Sequence, residues 1–536
     1  MPPCLSWILW PAPCAPALLD PGARDVDLLV VHDPRESAAL RVWCAGLALR
    51  GVGDGAHVPL ALGAIGAAPP ELEARADEAL RLPDVASLAR TRVRLRAEGD
   101  LTPRAPARAR VFDLVRGDAT LRSRAIATRA DGAAALHVAF ATDLHLAAIW
   151  DAVADAIARH APDLAVRFLH PRTHLDRLVA TLNARAARGA LDALVLGGDL
   201  VDHVYQHPRA RVSGHLAESN VPALIEALAS LRVPSFAIPG NHDFRLHPWR
   251  PRTYGLDELG IPRERTPALL RRAGLWDPFP FRPLDLDALR TRERSGRSGL
   301  AQHLLHVAPA TDGTASLGSL DLVFASTGRD LLPRWRSLEP GRLALLARAL
   351  PTTWSHPDLE GLHDTQIAAI ENALAAAATA GRGAALFLHA PLLHPPERGR
   401  VEDRIERLAP PHGDDLEARV AFERRLRRSG LRRGVFFRNP APLVRTILAA
   451  RTPLAVFSGH VHRGHGMDLD RSGGALRSLP FGALRSDSGR IALLAAPSLG
   501  QTDVRGEEAP GYLVARFEAG ALATTSRHDI ASDKAT

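Results

Sequence analysis

The sequence predicts an α/β fold preceded by a smaller β-rich domain, and three observations carry that prediction. Short β-rich stretches separated by Pro, Gly and Asp fill residues 24–132. From Leu136 onward, apolar strand-like runs alternate with helical patterns, the signature of a mostly parallel sheet with crossover helices. Nearly every one of those later runs ends in a cluster of Asp, Asn or His.

Before residue 133 the strand-like stretches are Val26–Val31, Leu40–Leu49, Arg92–Leu95 and Val111–Arg116. Their spacing suggests a small β-sandwich. Phe112–Val115 followed by Ile126–Thr128 resembles the closing strands of an Ig-like accessory domain. Residues 1–23 are set apart as an N-terminal segment and 24–132 as that domain. Residues 133–523 form the α/β domain and 524–536 a tail.

In the α/β domain, His137–Thr142 reads as a strand running into Asp143. Helical patterns follow at Ala147–Ala158 and Thr173–Arg188, and the strand Ala193–Leu196 then leads into Gly197-Gly-Asp199. A helix at Pro222–Leu231 precedes the strand Ser235–Ile238, which runs into Gly240-Asn-His-Asp243. The helix His363–Ala380 precedes Ala384–Leu388 and His389, and Leu454–Phe457 precedes Gly459-His-Val-His462. Each cluster therefore sits at the C-terminal end of a strand, the edge where loops converge in open α/β sheets. Two long stretches of little periodicity, near 245–315 and 395–440, read as insertions.

At 536 residues the chain exceeds what one core usually supports. Its 46% hydrophobic and 24% charged content is that of an ordinary globular protein. The net charge of +8 raises the question of nucleic acid, but Lys534 is the only lysine and the arginines are spread along the chain. The densest run, Arg424–Arg433, reads as a solvated helix face. Three cysteines, Cys4, Cys14 and Cys44, give neither a disulfide framework nor a thiolate metal site. No run is long enough to span a membrane, and Leu5–Trp10 makes a poor signal peptide, so a cytoplasmic location is expected.

Asp143-Leu-His145, Gly198-Asp199-Leu-Val-Asp202, Gly240-Asn241-His242-Asp243, His389 and Gly459-His460-Val-His462 supply carboxylates, imidazoles and one amide. Taken singly, each is more often a turn, a cap or a structural imidazole. As an ordered set they form a ligand inventory for a pair of divalent metals, and the mixture of Asp, Asn and His suits Mn, Fe, Zn, Co or Ni.

This ordered set resembles the calcineurin-like metallophosphoesterases over roughly residues 135–500. The resemblance implies a core of two packed β-sheets flanked by helices, with a dinuclear metal site at one rim. It implies that Asp143, His145, Asp199 and His462 hold one metal, and that Asp199, Asn241, His389 and His460 hold the other. A bridging carboxylate partly screens the repulsion of two cations. Such a pair polarises a phosphoryl group and lowers the pKa of a shared water to near neutrality, giving a hydroxide nucleophile.

His242 matches the family's general acid, with Asp202 as its expected partner and Asp243 as the alternative. Arg245 is a candidate phosphate-binding residue. His394, His412 and His465 fall outside the matching positions. His203 stands where the protein Ser/Thr phosphatases of the superfamily carry an Arg-Gly pair, and Leu200–Asp202 lacks the tyrosine of purple acid phosphatases. The expectation is a hydrolase of phosphoric mono- or diesters acting on a small phosphorylated substrate. A metal-dependent nuclease and a catalytically inactive metal-binding scaffold stand as alternatives. The nuclease is permitted by the basic balance but lacks clustered cations and aromatic platforms.

Overall fold

The computed structural model describes residues 7–74, 88–130, 132, 134–147, 158–159, 162, 170–202, 220–244, 312–327, 362, 364–393, 440–472, 476–500 and 508–530. The helix expected at Ala147–Ala158 lies largely outside them. So do Arg245, His203, His394, His412, the run Arg424–Arg433, and nearly all of both expected insertions.

The N-terminal strands are β1 (Trp7–Trp10), β2 (Ala17–Leu19), β3 (Asp25–His32), β4 (Leu47–Gly51), β5 (His57–Ala67), β6 (Ala89–Ala97), β7 (Ala109–Arg116) and β8 (Ala119–Arg129). They form one sheet in the order β1-β3-β6-β5-β4-β7-β8-β2. The 11-residue β5 pairs with β4 at one end and β6 at the other, so both halves of the sheet share a core that includes Leu28, Leu49, Val93, Leu95, Phe112 and Ile126. Two expectations change here. The sheet begins within residues 1–23, because β1 pairs with β3 and β2 runs parallel to β8. The stretch Leu40–Leu49 is not continuous β structure. Ser37–Cys44 is a helix (α1) that buries Leu40 and Cys44, and the chain turns at Gly46, φ +88°, before β4 starts.

The remaining described residues form two sheets packed face to face. The first has the order β11-β10-β9-β19-β20, from β9 (Ala135–Ala141), β10 (Ala193–Leu196), β11 (Ser235–Ala237), β19 (Gly511–Glu518) and β20 (Ala521–Asp529). Strands β9, β10 and β11 are parallel, and β19 and β20 complete an antiparallel edge. The expected tail from 524 is corrected, because β20 runs to Asp529 and Ile530 is buried.

The second sheet has the order β12-β13-β14-β15-β18-β16-β17. Its strands are β12 (Asp312–Leu317), β13 (Leu320–Ala325), β14 (Gly383–Phe387), β15 (Leu454–Ser458), β16 (His465–Asp470), β17 (Leu476–Ser478) and β18 (Arg490–Ala495). Strand β12 occupies the end of the stretch expected as an insertion, hairpinned onto β13.

Between the sheets lies an aromatic core. Phe387 stacks on Phe457 at 5.0 Å between centroids, and Phe140 of the first sheet meets Phe457 at 5.5 Å. The outer face of the first sheet is covered by α3 (Pro171–Ala187) and α4 (Val221–Leu228), numbering the helix Pro70–Ala74 as α2. The outer face of the second is covered by α5 (Asp364–Thr379) and α6 (Pro440–Ala449). Helix α5 buries Ile367, Ile370, Leu374 and Ala377, one stripe at helical spacing. Strands buried on both faces read as unbroken apolar runs, as Ala193-Leu-Val-Leu196 does. The result is a helix–sheet–sheet–helix sandwich.

Arg124 of β8 joins the N-terminal sheet to this sandwich. Its guanidinium is buried and donates to the carbonyls of Leu231 at 3.1 Å and Val233 at 2.7 Å and to Ser235 Oγ at 2.8 Å.

Candidate metal centre

Loops at one rim of the sandwich carry all the motif residues. Asp143 and His145 follow β9, Asp199 follows β10, and Asn241 and His242 follow β11. From the second sheet, His389 follows β14, and His460 and His462 follow β15. The loops are tied together by main-chain hydrogen bonds: Asp143 N–H donates to Gly198 O, His145 N–H to Asp199 O, and Gly459 N–H to His389 O.

The backbone at this rim is strained. Asp143, His145, Asp199, His460 and His462 have φ between +49° and +69°, a region that L-residues other than glycine seldom occupy. Such conformations cost on the order of 1–3 kcal/mol each and persist where the surroundings over-determine them. Glycines make the close approach feasible. A Cβ on Gly240 would lie 2.4 Å from both the backbone nitrogen and Oδ1 of Asp199.

Ligand-type atoms converge in two groups that share Asp199. Asp143, His145, Asp199 and His462 form one, and Asp199, His389 and His460 the other. Asn241 adjoins the second, its Oδ1 3.2 Å from His389 Nε2. Within the first group the Nε2 atoms of His145 and His462 face each other at 3.2 Å, and His462 Nε2 lies 3.4 Å from Asp143 Oδ1.

Each carboxylate has one oxygen held by the backbone. Asp143 Oδ2 accepts the N–H of His460 at 2.9 Å, and Asp199 Oδ1 accepts the N–H of His242 at 2.7 Å. The remaining oxygens point inward. Asp199 Oδ2 lies 3.3 Å from His389 Nε2 and 3.8 Å from both His145 Nε2 and His242 Nε2.

His389 is oriented through its other nitrogen, which donates from Nδ1 to Gly197 O at 2.8 Å, so Nε2 presents its lone pair to the site. Asp143 Oδ1 is buried and has no hydrogen-bond partner. A buried anionic oxygen without a partner and two facing imidazole nitrogens make poor company unless a cation lies among them. The donor set therefore fits a dinuclear divalent metal site of nitrogen and oxygen ligands.

Burial by itself pushes the carboxyl of Asp199 up, but the imidazoles of His389, His242 and His145 outweigh it and hold the group well below its ordinary value. In Asp143, burial is likewise outweighed, chiefly by His462. Asp243 goes the other way. Burial raises it to about 8, and the nearby charge of Asp199 adds to the rise.

His242 Nδ1 is 2.8 Å from Asp202 Oδ1. Asp243, the alternative partner, has its carboxylate occupied by the backbone N–H groups of Leu200, Val201 and Gly240 at 2.7–3.0 Å. It acts as a buried clamp between the second and third motifs, a role its position beside His242 does not advertise in sequence. Ser498 is a further residue that sequence reasoning missed. Its hydroxyl donates to Asp143 O at 2.9 Å from a loop without any motif. His465 opens β16 and belongs to neither group, its Nδ1 lying 3.3 Å from Arg463 O.

A family model described as calcineurin-like phosphoesterase matches residues 136–292, the stretch carrying Asp143, His145, Asp199, Asn241 and His242. Over that stretch the chain is similar to the calcineurin-like phosphoesterases. The matched stretch opens on β9 and takes in the first three motifs, while His389, His460 and His462 join them from the second sheet.

No curated protein matches this chain in sequence. Among solved structures it is similar to a dimetal phosphatase from Danio rerio, at 12% identity and a TM-score of 0.32, over 72% of this chain and 93% of that one. It is also similar to PhoD, at 12% identity and a TM-score of 0.37, over 98% and 91% of the two chains. GAP50, the anchor in the inner membrane complex of Plasmodium, matches at 9% identity and a TM-score of 0.30, over 75% and 87%. Likenesses this remote carry no argument about the reaction. Among the described residues, no helix is long and apolar enough to cross a membrane.

Proposed function

We propose that this chain is a phosphoesterase that hydrolyses small phosphoric mono- or diesters with two divalent metals, His242 acting as general acid. One metal would be held by Asp143, His145, Asp199 and His462, and the other by Asp199, Asn241, His389 and His460. The observation that carries this reading is Asp199 Oδ2, on which imidazole nitrogens of both groups converge. Oδ1 is engaged by the N–H of His242, which leaves Oδ2 as the oxygen turned towards both groups. When bound, such a pair supplies Lewis-acid polarisation of the phosphoryl oxygens and a more acidic water.

The chain's own groups do the rest. Asp202 accepts a hydrogen bond from His242 Nδ1–H, which fixes the ring and its tautomer and favours the charged imidazolium. The opposite nitrogen, Nε2, then faces the convergence point, 3.8 Å from Asp199 Oδ2, and hands its proton to the departing ester oxygen. Arg245, two residues past Asp243, is the proposed cation for a substrate phosphate. The physiological metals fall within Mn, Fe, Zn, Co and Ni.

The reading is tested by assaying apo protein reloaded with each of these metals against chromogenic phosphomonoesters and phosphodiesters. Metal-dependent turnover that disappears in Asp199→Ala supports it. Turnover that persists in thoroughly chelated protein would sink it.

A further inference from the structure

The loop Gly459–Gly464 carries two of the proposed ligands, and its residues His460 and His462 have φ of +69° and +56°. A loop so strained needs restraint at both ends. At its start, Gly459 N–H donates to His389 O and His460 N–H to Asp143 Oδ2. At its finish, Gly464 N–H is shared by both carboxylate oxygens of Glu508, each at 3.0 Å. The fit there is close, since a Cβ on Gly464 would come within 2.8 Å of Glu508 Oε1.

Glu508 is itself braced. It pairs with Arg527 of β20, whose guanidinium also donates to Ala509 O at 2.9 Å and to Asp529 at 3.0 Å. Glu508 and Arg527 are largely shielded from solvent.

The bond from Gly464 to Glu508 crosses the sandwich. Gly464 leads directly into β16 of the second sheet, whereas Arg527 belongs to the edge hairpin of the first. The proposed ligands divide the same way, with Asp143, His145, Asp199 and Asn241 on the first sheet and His389, His460 and His462 on the second. A strut between the second-sheet loop and a first-sheet strand therefore sets the distance between the two halves of the site. We propose that Glu508, braced by Arg527, is a positioning residue that holds His462 in register with Asp143 and His145.

The proposal rests on the metal reading above, and it carries a built-in asymmetry. His460 N–H bonds Asp143 Oδ2, whereas His462 is the ligand nearer the strut, two residues from Gly464. Loss of Glu508 should therefore weaken the metal shared by Asp143, His145 and His462 and largely spare the other. Removing a group that orients metal ligands from outside typically costs about 10–100-fold in affinity.

The test is a Co²⁺ titration of apo protein, followed by visible absorption, for wild type, Glu508→Gln, Glu508→Ala and His462→Ala, with the thermal midpoint of each apo protein measured alongside. Glu508→Gln keeps an acceptor for Gly464 N–H while losing the ion pair, so it guards against a variant that fails to fold. The expected result is two binding steps in wild type. In the Glu508 variants one step should be weakened by about 10–100-fold, with the other retained, apo thermal midpoints close to wild type, and turnover rescued by excess Co²⁺. His462→Ala should weaken that same step further. If His462→Ala loses a step while both Glu508 variants bind like wild type, the strut is overturned and the metal reading stands. If His462→Ala also binds like wild type, the metal reading itself fails and takes the strut with it. Equal weakening of both steps with a lowered midpoint would mark Glu508 as merely structural and overturn the proposal.

Discussion

Oδ2 of Asp143 accepts the backbone N–H of His460 at 2.9 Å, across 317 residues of sequence and from one sheet of the sandwich to the other. That bond leaves Oδ1 as the oxygen turned to the site, and Asp199 is arranged in the same way by His242 N–H. The two carboxylates are thus each anchored by a main-chain donor. Their substitution should affect metal binding more than folding.

Asp199→Ala should release both metals, because Oδ2 is common to both groups, whereas Asp143→Ala should release one. Elemental analysis after dialysis, with circular dichroism as a check on the fold, decides it. Equal metal loss in the two variants would argue against Asp199 as the bridge.

His242→Ala should keep both metals and lose about 10²–10⁴-fold in turnover, the usual worth of a positioned general acid. The deficit should shrink for esters of nitrophenol, whose leaving oxygen scarcely needs a proton. Rates on a good and a poor leaving group, measured beside metal content, check it. An equal deficit on both would remove His242 from that role.

Arg124→Met should cost at least about 3 kcal/mol, because it leaves the buried carbonyls of Leu231 and Val233 without their charged donor. The loss should appear in denaturant unfolding, with the N-terminal sheet and the sandwich melting less cooperatively. A variant within about 0.5 kcal/mol of wild type, the range of an ordinary surface change, would contradict the buried role.

His528 is buried, stacked on Tyr512 and faced by Arg185, and burial first and Arg185 second lower its pKa from 6.5 to about 4. The folded state therefore resists a proton that the unfolded chain accepts. Stability from the neutral ring is intact above pH 6.5 and is lost as pH falls from 6.5 towards 4. The full loss would be about 3 kcal/mol, and solvent screening of a ring near the surface brings it to about 2 kcal/mol. His528→Gln should flatten that part of the stability profile, measured by urea unfolding at pH 7 and pH 4.5. An unchanged slope would show that His528 titrates normally.

How much of this was legible in the sequence follows from which interactions are local. Strands such as Ala193–Leu196 and Gly383–Phe387 are apolar throughout, and the motif residues directly after them announced both the strand ends and the rim. The stretch Leu40–Leu49 misled because α1 is short and β4 follows almost at once, so the apolar runs fuse. The two strands within residues 1–23 were hidden because their pairing partners, β3 and β8, are chosen by tertiary contact. Glu508 and Ser498 carry no motif. Each acts on a backbone group far away in sequence, and no local pattern encodes such a meeting.

Because the rim draws its donor atoms from both sheets, occupancy by cations would work as a clasp on the sandwich. Whatever free energy is gained in binding would accrue to the folded state alone, growing with the logarithm of free metal over its dissociation constant. Depletion would then do more than silence the enzyme. It would slacken the seam between the sheets and expose the chain to proteolysis, so that metal supply governs the lifetime of the protein as well as its activity.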